Sequence, residues 1–430
     1  MMDADGCGSA EHRIARRQFL GSLALGAGAA ASGLGGLGWF TRPAMARHFA
    51  RDQKRMIVFN LQGGLSQLES WDPKPGTDGG GPFRAIRTSV PGIHISELLP
   101  HTARQMHHLA LLRSLNTKDN SHNTGPVLMA TGRQPTPAAS YPHIGAVVAK
   151  AFDSEDRSLP GHVRIQSGGG GRNLDAAYLG PRYASIGVTG KPPGDANPPP
   201  DLTDESARLR DDFRCRLNRR FLAGRDTAET DAYVQSYEMA KELVRQREIF
   251  DVTKESEKDQ KRYGQHAFGR HCLLARRLLE AGVTFAQITH GEYDTHVLNF
   301  SVLLQMLGEF DGPFATFVSD LADRGMLDST LVVVLSEFGR TPTLNAVGGR
   351  EHQAGAWSIC LGGASIVRGA VVGKTNERGS RVVEREADAG QLFHTYLRAL
   401  GLRSSGHFTV GGRKMPMADP ALEPIQELLA

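Results

Sequence analysis

The chain has 430 residues, of which 40% are hydrophobic and 22% are charged, as in an ordinary soluble globular protein. The formal net charge is only +4, and no cluster of Lys and Arg is interleaved with aromatic residues, so we expect no nucleic-acid partner. The four cysteines, at positions 7, 215, 272 and 360, have no CxxC spacing, which argues against a thiolate metal site and a disulfide framework.

The first 46 residues have the pattern of a twin-arginine signal peptide. Arg16-Arg17 precede a weakly apolar stretch, residues 21–38, in which 12 of 18 residues are Gly or Ala. A small-x-small cleavage site, Ala44-Met45-Ala46, follows. We therefore predict a mature domain at residues 47–430, with the twin-arginine translocase as a partner and a periplasmic or otherwise extracytoplasmic location. The alternative is an uncleaved segment that anchors the domain at the membrane.

The mature chain opens with a short apolar strand that begins at Arg55 and runs into the turn Gly63-Gly64. Ser66 and Glu69 have the spacing of a helix N-cap and its capping-box partner, so a helix is expected to start there. A helix N-terminus behind a glycine turn favours a bound anion. A plain strand-to-helix turn without a ligand explains the pattern equally well.

A second strand, Leu109–Leu115, is followed by the polar cluster Ser121-His122-Asn123-Thr124-Gly125, which opens a helix. A hydroxyl at that place gains nucleophilicity from the helix dipole. Ser121 or Thr124 is therefore the candidate nucleophile, and His122 is a candidate metal ligand or acid. Ser121 could instead only cap the helix.

Residues 202–261 are polar and rich in helix formers, and we predict a mainly helical insertion there. A further strand, Val283–Thr289, then leads to Asp294 and His296. Side chains two residues apart on an extended segment point the same way, which suits two ligands on one metal. Carboxylate and imidazole donors favour zinc, manganese or iron over calcium. The alternative is a polar loop with an internal Asp–His bond.

The most apolar strand candidate, Leu331–Leu335, is typical of a strand buried on both faces of a parallel sheet. Glu337 and Arg340 follow it, and ligands of open α/β sheets bind at the carboxyl ends of strands. These two residues are thus expected at the mouth of a site, unless they form a purely structural pair. His352, on the following loop, is a third candidate histidine ligand.

The ordered motifs GGLSQLESWDPKPG, SHNTG, GEYDTH, SEFGRTP and GGREH resemble a group of exported bacterial proteins called DUF1501. That group is placed in the alkaline phosphatase/sulfatase superfamily. The resemblance implies a three-layer α/β/α sandwich with a mostly parallel central sheet, in which metal ligands lie on the loops after successive strands.

The resemblance also implies roles for individual residues. Asp294, His296 and His352 match the pattern of one metal site, with Glu337 as a possible fourth ligand or base. Two ligands of a second site are replaced, because Gln62 stands where an aspartate is usual and Phe338 stands where a histidine is expected. The sulfatase motif Cys-x-Pro-x-Arg is absent from the sequence.

We therefore expect an exported hydrolase of phosphate or sulfate esters with one divalent metal, zinc or manganese. Two metals about 4 Å apart clamp both the attacking and the leaving oxygen, whereas one ion polarises a single oxygen or activates one water. Arg340 would bind the anionic ester through its two-pronged guanidinium. The alternative is a binding or assembly protein that keeps the fold and has lost catalysis.

Overall fold

The computed structural model describes residues 53–154, 159–167, 171–172, 175–189, 203–223, 234, 237–238 and 241–430. The described residues belong to one compact unit. The predicted signal peptide, residues 1–46, lies outside the described residues. Among the described helices, none combines the length and the apolar composition that crossing a bilayer requires.

Seventeen strands occur in the described part of the chain. They are β1 (Arg55–Leu61), β2 (Ala85–Arg87), β3 (His94–Ser96), β4 (Leu109–Leu115), β5 (His162–Ile165), β6 (Gly171–Arg172), β7 (Ile186–Val188), β8 (Phe285–His290), β9 (Thr330–Leu335), β10 (Gly339–Leu344), β11 (Arg350–Gln353), β12 (Trp357–Gly362), β13 (Ala370–Val372), β14 (Lys374–Thr375), β15 (Val382–Glu384), β16 (His407–Val410) and β17 (Arg413–Pro416).

The α-helices of the described residues are α1 (Pro100–Arg104), α2 (Gly125–Thr131), α3 (Ile144–Ala151), α4 (Asp204–Leu222), α5 (Glu257–Tyr263), α6 (Ala267–Glu280), α7 (Asn299–Asp323) and α8 (Ala389–Ala399). The helix α4 falls within the predicted insertion at residues 202–261, whereas α5 begins inside it and ends at Tyr263. Parts of that insertion lie outside the described residues, so its domain status stays a prediction.

A nine-stranded sheet forms the centre of the fold, in the order β13-β4-β12-β9-β1-β8-β5-β7-β6. Only β12 and β6 run against their neighbours; the other seven strands of this sheet point the same way. The strands β9 and β1 lie in the middle, and every residue of β9 is buried. A strand covered on both faces needs a continuous apolar run, which explains the composition of residues 331–335.

Alternate residues of β1 face two separate cores, as the two-residue period of a strand requires. Ile57 and Phe59 pack into the core that contains α6 and α7. Met56 and Val58 pack into the opposite core, which contains α2, α3 and α8. Helices therefore cover both faces of the sheet. The prediction of a three-layer α/β/α sandwich with a mostly parallel sheet is confirmed.

An aromatic cluster shows how tightly the first core is packed. The Phe59 ring lies edge-on to three phenylalanines of α7, with centroid distances of 5.0 Å to Phe314, 5.3 Å to Phe317 and 6.4 Å to Phe310. Such edge-to-face pairs add about 0.5–1.5 kcal/mol each beyond area burial. The cluster fixes β1 against α7 and so positions the loop that follows β1.

The predicted helix after the glycine turn is wrong. Residues 62–72 form turns, and the buried Ser66 hydroxyl has no hydrogen-bond partner among the described residues, so it caps no helix. Glu69 is fully buried and pairs with Arg350 at 2.6 Å. Ser66 accepts the Ser70 hydroxyl at its carbonyl oxygen. Tertiary contacts thus override the local capping signal.

Candidate metal centre

Three distant segments meet where β1, β4, β8 and β9 end, at the carboxyl edge of the sheet. His122 lies in the loop after β4, and Asp294 and His296 follow β8. The antiparallel hairpin β10–β11 adds His352, which pairs in register with Arg340. This hairpin was not predicted, since its strands Gly339–Leu344 and Arg350–Gln353 lack the alternation of a half-buried strand.

Asp294 is the centre of the cluster. Its Oδ1 lies 3.1 Å from His296 Nε2 and 3.2 Å from His352 Nε2. Its Oδ2 lies 3.3 Å from His122 Nε2. The two nitrogens His296 Nε2 and His352 Nε2 are only 2.9 Å apart. The four side chains are 20–45% exposed, so a ligand from solvent can reach them.

Hydrogen bonds behind two of the rings fix which nitrogens carry protons. His352 Nδ1 lies 2.8 Å from the carbonyl oxygen of Asn120, which can only accept, so Nδ1 donates. His296 Nδ1 lies 2.8 Å from a carboxylate oxygen of Glu351, which assigns the same tautomer. In the neutral rings both Nε2 atoms are then acceptors.

Those two acceptors face each other and the Asp294 carboxylate. Three converging acceptors repel one another unless a cation lies among them, so this donor set fits a bound metal ion. Burial lowers the pKa of His352 and the charge of Arg340 lowers it further, which keeps the ring in the neutral form that a metal requires. Nitrogen and oxygen donors of this kind suit zinc or manganese.

Glu337 contributes to the cluster through His122 rather than by touching the other ligands. Its Oε1 lies 2.9 Å from His122 Nδ1. Both of its carboxylate oxygens also accept the Gly63 N–H, at 2.9 and 3.1 Å, and the side chain is buried. In this arrangement Glu337 has the position of a carboxylate behind a candidate histidine ligand, and its predicted role as a possible fourth ligand or base stays a prediction.

Arg340 holds the loops of the site together. Its guanidinium is fully buried and donates to Asp294 and to the carbonyl oxygens of Gly63, Gly64 and Arg350. Partial burial would raise the pKa of Asp294, but the bond and charge of Arg340 outweigh it and lower that pKa to about 2. The predicted contact between Arg340 and a substrate anion does not fit a guanidinium whose nitrogens are directed to protein acceptors.

The two positions with replaced ligands take other roles. The Phe338 ring is fully buried and lies 4.9 Å from the His122 ring and 4.4 Å from the His352 ring, between centroids. Gln62 is exposed, and its backbone bonds to His290 and Tyr293. The Phe338 ring offers no metal donor, and Gln62 offers only an amide oxygen where a carboxylate was expected.

Residues 53–429 match the family model described as "Protein of unknown function (DUF1501)", which covers most of the chain. The chain belongs to the DUF1501 family. The family prediction made from the ordered motifs is therefore confirmed. Among curated proteins, no sequence matches this DUF1501 chain.

Several solved structures are similar to this DUF1501 protein at low identity. Ps i-CgsB is 12% identical, with a TM-score of 0.40, over 82% of this chain and 73% of that chain. PsFucS1 sulfatase from Pseudoalteromonas sp. is 11% identical, with a TM-score of 0.36, over 84% and 72%. A protein in the alkaline phosphatase superfamily from Vibrio parahaemolyticus is 11% identical, with a TM-score of 0.37, over 82% and 67%.

The two candidate nucleophiles of the DUF1501 chain differ in their partners. Thr124 Oγ1 donates to Asp119 Oδ1 at 2.9 Å, so a carboxylate base is already within reach. Ser121 Oγ accepts the Asn123 N–H at 3.2 Å and has no such base among its contacts with the described residues. Thr124 also immediately precedes α2, so it occupies the predicted place at a helix start.

Sequence reasoning missed three residues that complete the site. Glu351 and Asn120 orient two histidines, and Asp119 supports Thr124. Glu351 is the neighbour of His352 in the sequence, and Asp119 lies two residues before Ser121. A search for carboxylates near the candidate residues therefore finds both. The carbonyl oxygen of Asn120 carries no signal in the sequence, since every residue has one.

Proposed function

We propose that this DUF1501 protein is an exported hydrolase of phosphate or sulfate esters that uses one divalent metal ion. The observation that carries the proposal is the convergence of Asp294 Oδ1 with the Nε2 atoms of His296 and His352. The choice of ester follows from the sequence resemblance to the alkaline phosphatase/sulfatase superfamily. Zinc and manganese are the ions that best suit these donors.

Each residue of the cluster has a defined task in this proposal. Asp294, His296 and His352 hold the ion, and His122 completes the set on the other carboxylate oxygen of Asp294. An ion bound there supplies Lewis-acid polarisation of one ester oxygen or activation of one water. Glu351 and Glu337 orient His296 and His122 from behind, which raises the basicity of a ligating imidazole.

Thr124 is the proposed nucleophile. As Thr124 Oγ1 attacks phosphorus or sulfur, Asp119 takes the hydroxyl proton and the bond to the leaving alkoxide oxygen breaks. The alkoxide then takes a proton and departs as an alcohol. Water afterwards hydrolyses the ester formed on Thr124 and regenerates the hydroxyl. A Thr124→Ser variant should keep turnover, whereas Thr124→Ala should lose it.

Elemental analysis of the folded, exported protein tests the metal before any chemistry is assumed. We expect about one zinc or manganese per chain, and slow hydrolysis of p-nitrophenyl phosphate or p-nitrophenyl sulfate that stops with a chelator. A protein that contains no metal, together with an Asp294→Ala variant indistinguishable from the parent, would overturn the proposal.

A second candidate function is an exported binding or assembly protein without catalysis. Phe338 and Gln62 favour it, because neither side chain can hold the second ion of a two-metal phosphoryl-transfer site. This function predicts a bound metal and a partner captured from the periplasm, but no turnover of any ester. Metal content alone does not separate the two functions; turnover does.

The export route is part of the proposal and rests on residues 1–46 of the sequence. Cleavage after Ala46 would leave Arg47 at the N-terminus. N-terminal sequencing of the exported protein tests this, and an intact N-terminus would instead indicate the membrane-anchored form. Replacing Arg16-Arg17 by two lysines should block export by the twin-arginine translocase.

A further inference from the structure

A cavity of about 480 Å³ lies between the sheet and the helices α2 and α3, and it borders the histidine cluster through Glu337. Its apolar wall includes Val58 of β1, Leu335 of β9, Val127 and Met129 of α2 and Ile144 of α3. The volume lies within the range of pockets that hold small molecules. None of His122, Asp294, His296 and His352 lines it.

Three polar atoms of the cavity wall have no hydrogen-bond partner in the described part of the chain. They are Arg164 Nε, Asp175 Oδ2 and Tyr396 Oη. Tyr396 is only 1% exposed, and burial raises the pKa of its hydroxyl, so the proton stays available for donation. Unpartnered buried polar atoms cost about 1–3 kcal/mol each, so three around one cavity indicate a site built for a polar occupant.

The charges of these atoms define the chemistry of that occupant. Arg164 offers a cationic N–H donor. Burial opposes ionisation of Asp175, but His162 and the Ser185 N–H outweigh it and hold the pKa of Asp175 below its usual value, so its free oxygen is an anionic acceptor. The neighbouring His143 is neutral, because burial and His162 lower its pKa to about 3.

The other charged groups on the wall are already engaged. Arg133 lies over the Tyr141 ring at 4.5 Å and donates to the Ala418 carbonyl oxygen at 2.6 Å. Glu337 is bonded to Gly63 and His122. The cavity therefore presents a cationic N–H and a carboxylate oxygen that make no hydrogen bond with the described residues, the oxygen lying 4.0 Å from His162 Nε2. Beside an apolar wall, these two atoms are the complement of a zwitterion with an apolar body.

We propose that this cavity is a binding site for a small α-amino acid with an apolar side chain. The ligand carboxylate bonds to Arg164, its ammonium group bonds to Asp175, and its side chain packs against Val127, Met129 and Ile144. The site does not use the metal cluster, so its test is independent of the proposed hydrolase.

Calorimetric titration of the exported protein with L-phenylalanine tests the site directly. Two matched probes each lack one charge: 3-phenylpropionate has no ammonium group, and 2-phenylethylamine has no carboxylate. We expect L-phenylalanine to bind and each probe to bind about ten- to a hundredfold more weakly, because one charged hydrogen bond is lost. Binding of L-phenylalanine should be unchanged by a metal chelator.

Matched variants assign each charge to its residue. Arg164→Gln should weaken binding of L-phenylalanine and 3-phenylpropionate but not of 2-phenylethylamine. Asp175→Asn should weaken L-phenylalanine and 2-phenylethylamine but not 3-phenylpropionate, and its remaining oxygen can still accept the Ser185 N–H. Tyr396→Phe should weaken L-phenylalanine several-fold. Circular dichroism of each variant confirms folding.

Two outcomes would overturn the proposal. If phenylalanine, leucine, methionine and valine all give no heat of binding to the parent protein, the cavity holds only water. If L-phenylalanine binds but neither Arg164→Gln nor Asp175→Asn changes its affinity, the amino acid binds elsewhere. Val127→Trp, which fills the exposed mouth of the cavity, should abolish binding, and unchanged binding would contradict the assigned location.

Discussion

The two halves of the carboxyl edge of the sheet are built from different chemistry. After β8 and on the β10–β11 hairpin, Asp294, His296 and His352 direct a carboxylate and two imidazole nitrogens at one point. After β1 and β9, the equivalent space holds the exposed Gln62 and the buried ring of Phe338. One half is a donor set that fits a cation, and the other is closed by backbone and aromatic contacts.

This difference shows that the half without histidine donors still has a structural use for its carboxylate. Glu337 still carries a carboxylate, but the Gly63 N–H and His122 occupy it. Gly63 permits that contact, because it has a φ of 120° and a Cβ there would lie 2.4 Å from the Asp294 backbone nitrogen. Through Glu337, the half that contains Gln62 and Phe338 thereby holds His122 in place beside Asp294.

The largest expected effect comes from breaking the first half. Asp294→Ala removes the one carboxylate that touches all three histidines and leaves the buried Arg340 without its anion. We expect loss of stoichiometric metal and at least about a hundredfold weaker metal binding in titrations. The protein should also be destabilised, because a buried charge loses its partner.

Two variants make that result interpretable. Asp294→Asn keeps the shape and one acceptor, so it should lose metal with a smaller loss of stability. Asp328→Ala removes an exposed carboxylate paired with Arg368 and should leave metal content unchanged. Full metal occupancy in Asp294→Ala would contradict the site.

The next largest effect concerns the contact that joins the halves. Glu337→Gln weakens the carboxylate behind His122, and we expect about tenfold weaker metal binding, as for other partners of metal-bound histidines. Glu351→Gln, behind His296, is the matched variant and should give a similar loss. Equal affinities for both variants and the parent would show that neither carboxylate orients a ligand.

A smaller effect, on the number of bound metal ions, is expected when metal-ligand side chains are introduced into the half that holds Gln62 and Phe338. Phe338→His combined with Gln62→Asp supplies an imidazole and a carboxylate beside Glu337. We expect a second, weakly bound ion, visible as a rise in stoichiometry from about one toward two at high metal concentration. Phe338→Leu with Gln62→Asn is the control and should stay at one. No second ion would mean that the Glu337 contacts keep this half closed.

The smallest expected effect is on the pH dependence of stability, and it comes from a pair of buried histidines that differ from the accessible histidines of the carboxyl edge. His143 and His162 stack at 5.0 Å, and burial is the main cause that lowers their pKa values to about 3 and about 4. A depressed histidine pKa means that the unfolded chain takes up the proton first, so stability present above about pH 6.5 is lost as pH falls toward 4.

For His162 this linkage amounts to about 0.7 kcal/mol of unfolding free energy between pH 7 and pH 6. His162→Gln should therefore reduce the loss of stability over that interval by about this amount in urea titrations. His94→Gln, at an exposed strand end, is the control. An identical pH slope for the His162 variant and the parent would refute the assignment of neutral histidine in the core.

The sequence was informative where a local pattern matched a regular element. The apolar run of β9 and the placement of Asp294 beside His296 both follow from periodicity within a few residues. It was misleading at Ser66 and Glu69, where a capping signal lost to a buried ion pair with Arg350. It also predicted that Arg340 binds a substrate anion, whereas the buried guanidinium donates its hydrogen bonds to acceptors of the protein itself.

By itself, the sequence determined the layered fold, the family and the residue types of one candidate metal site, because hydrophobic period and short motifs are local properties. Only the tertiary structure decided which candidates meet. Register in the β10–β11 hairpin places His352 beside His296, and crossover of parallel strands places Gly63 under Glu337. Those contacts join residues 56 and 274 positions apart, and their strength depends on burial and on partners that no short stretch of sequence contains.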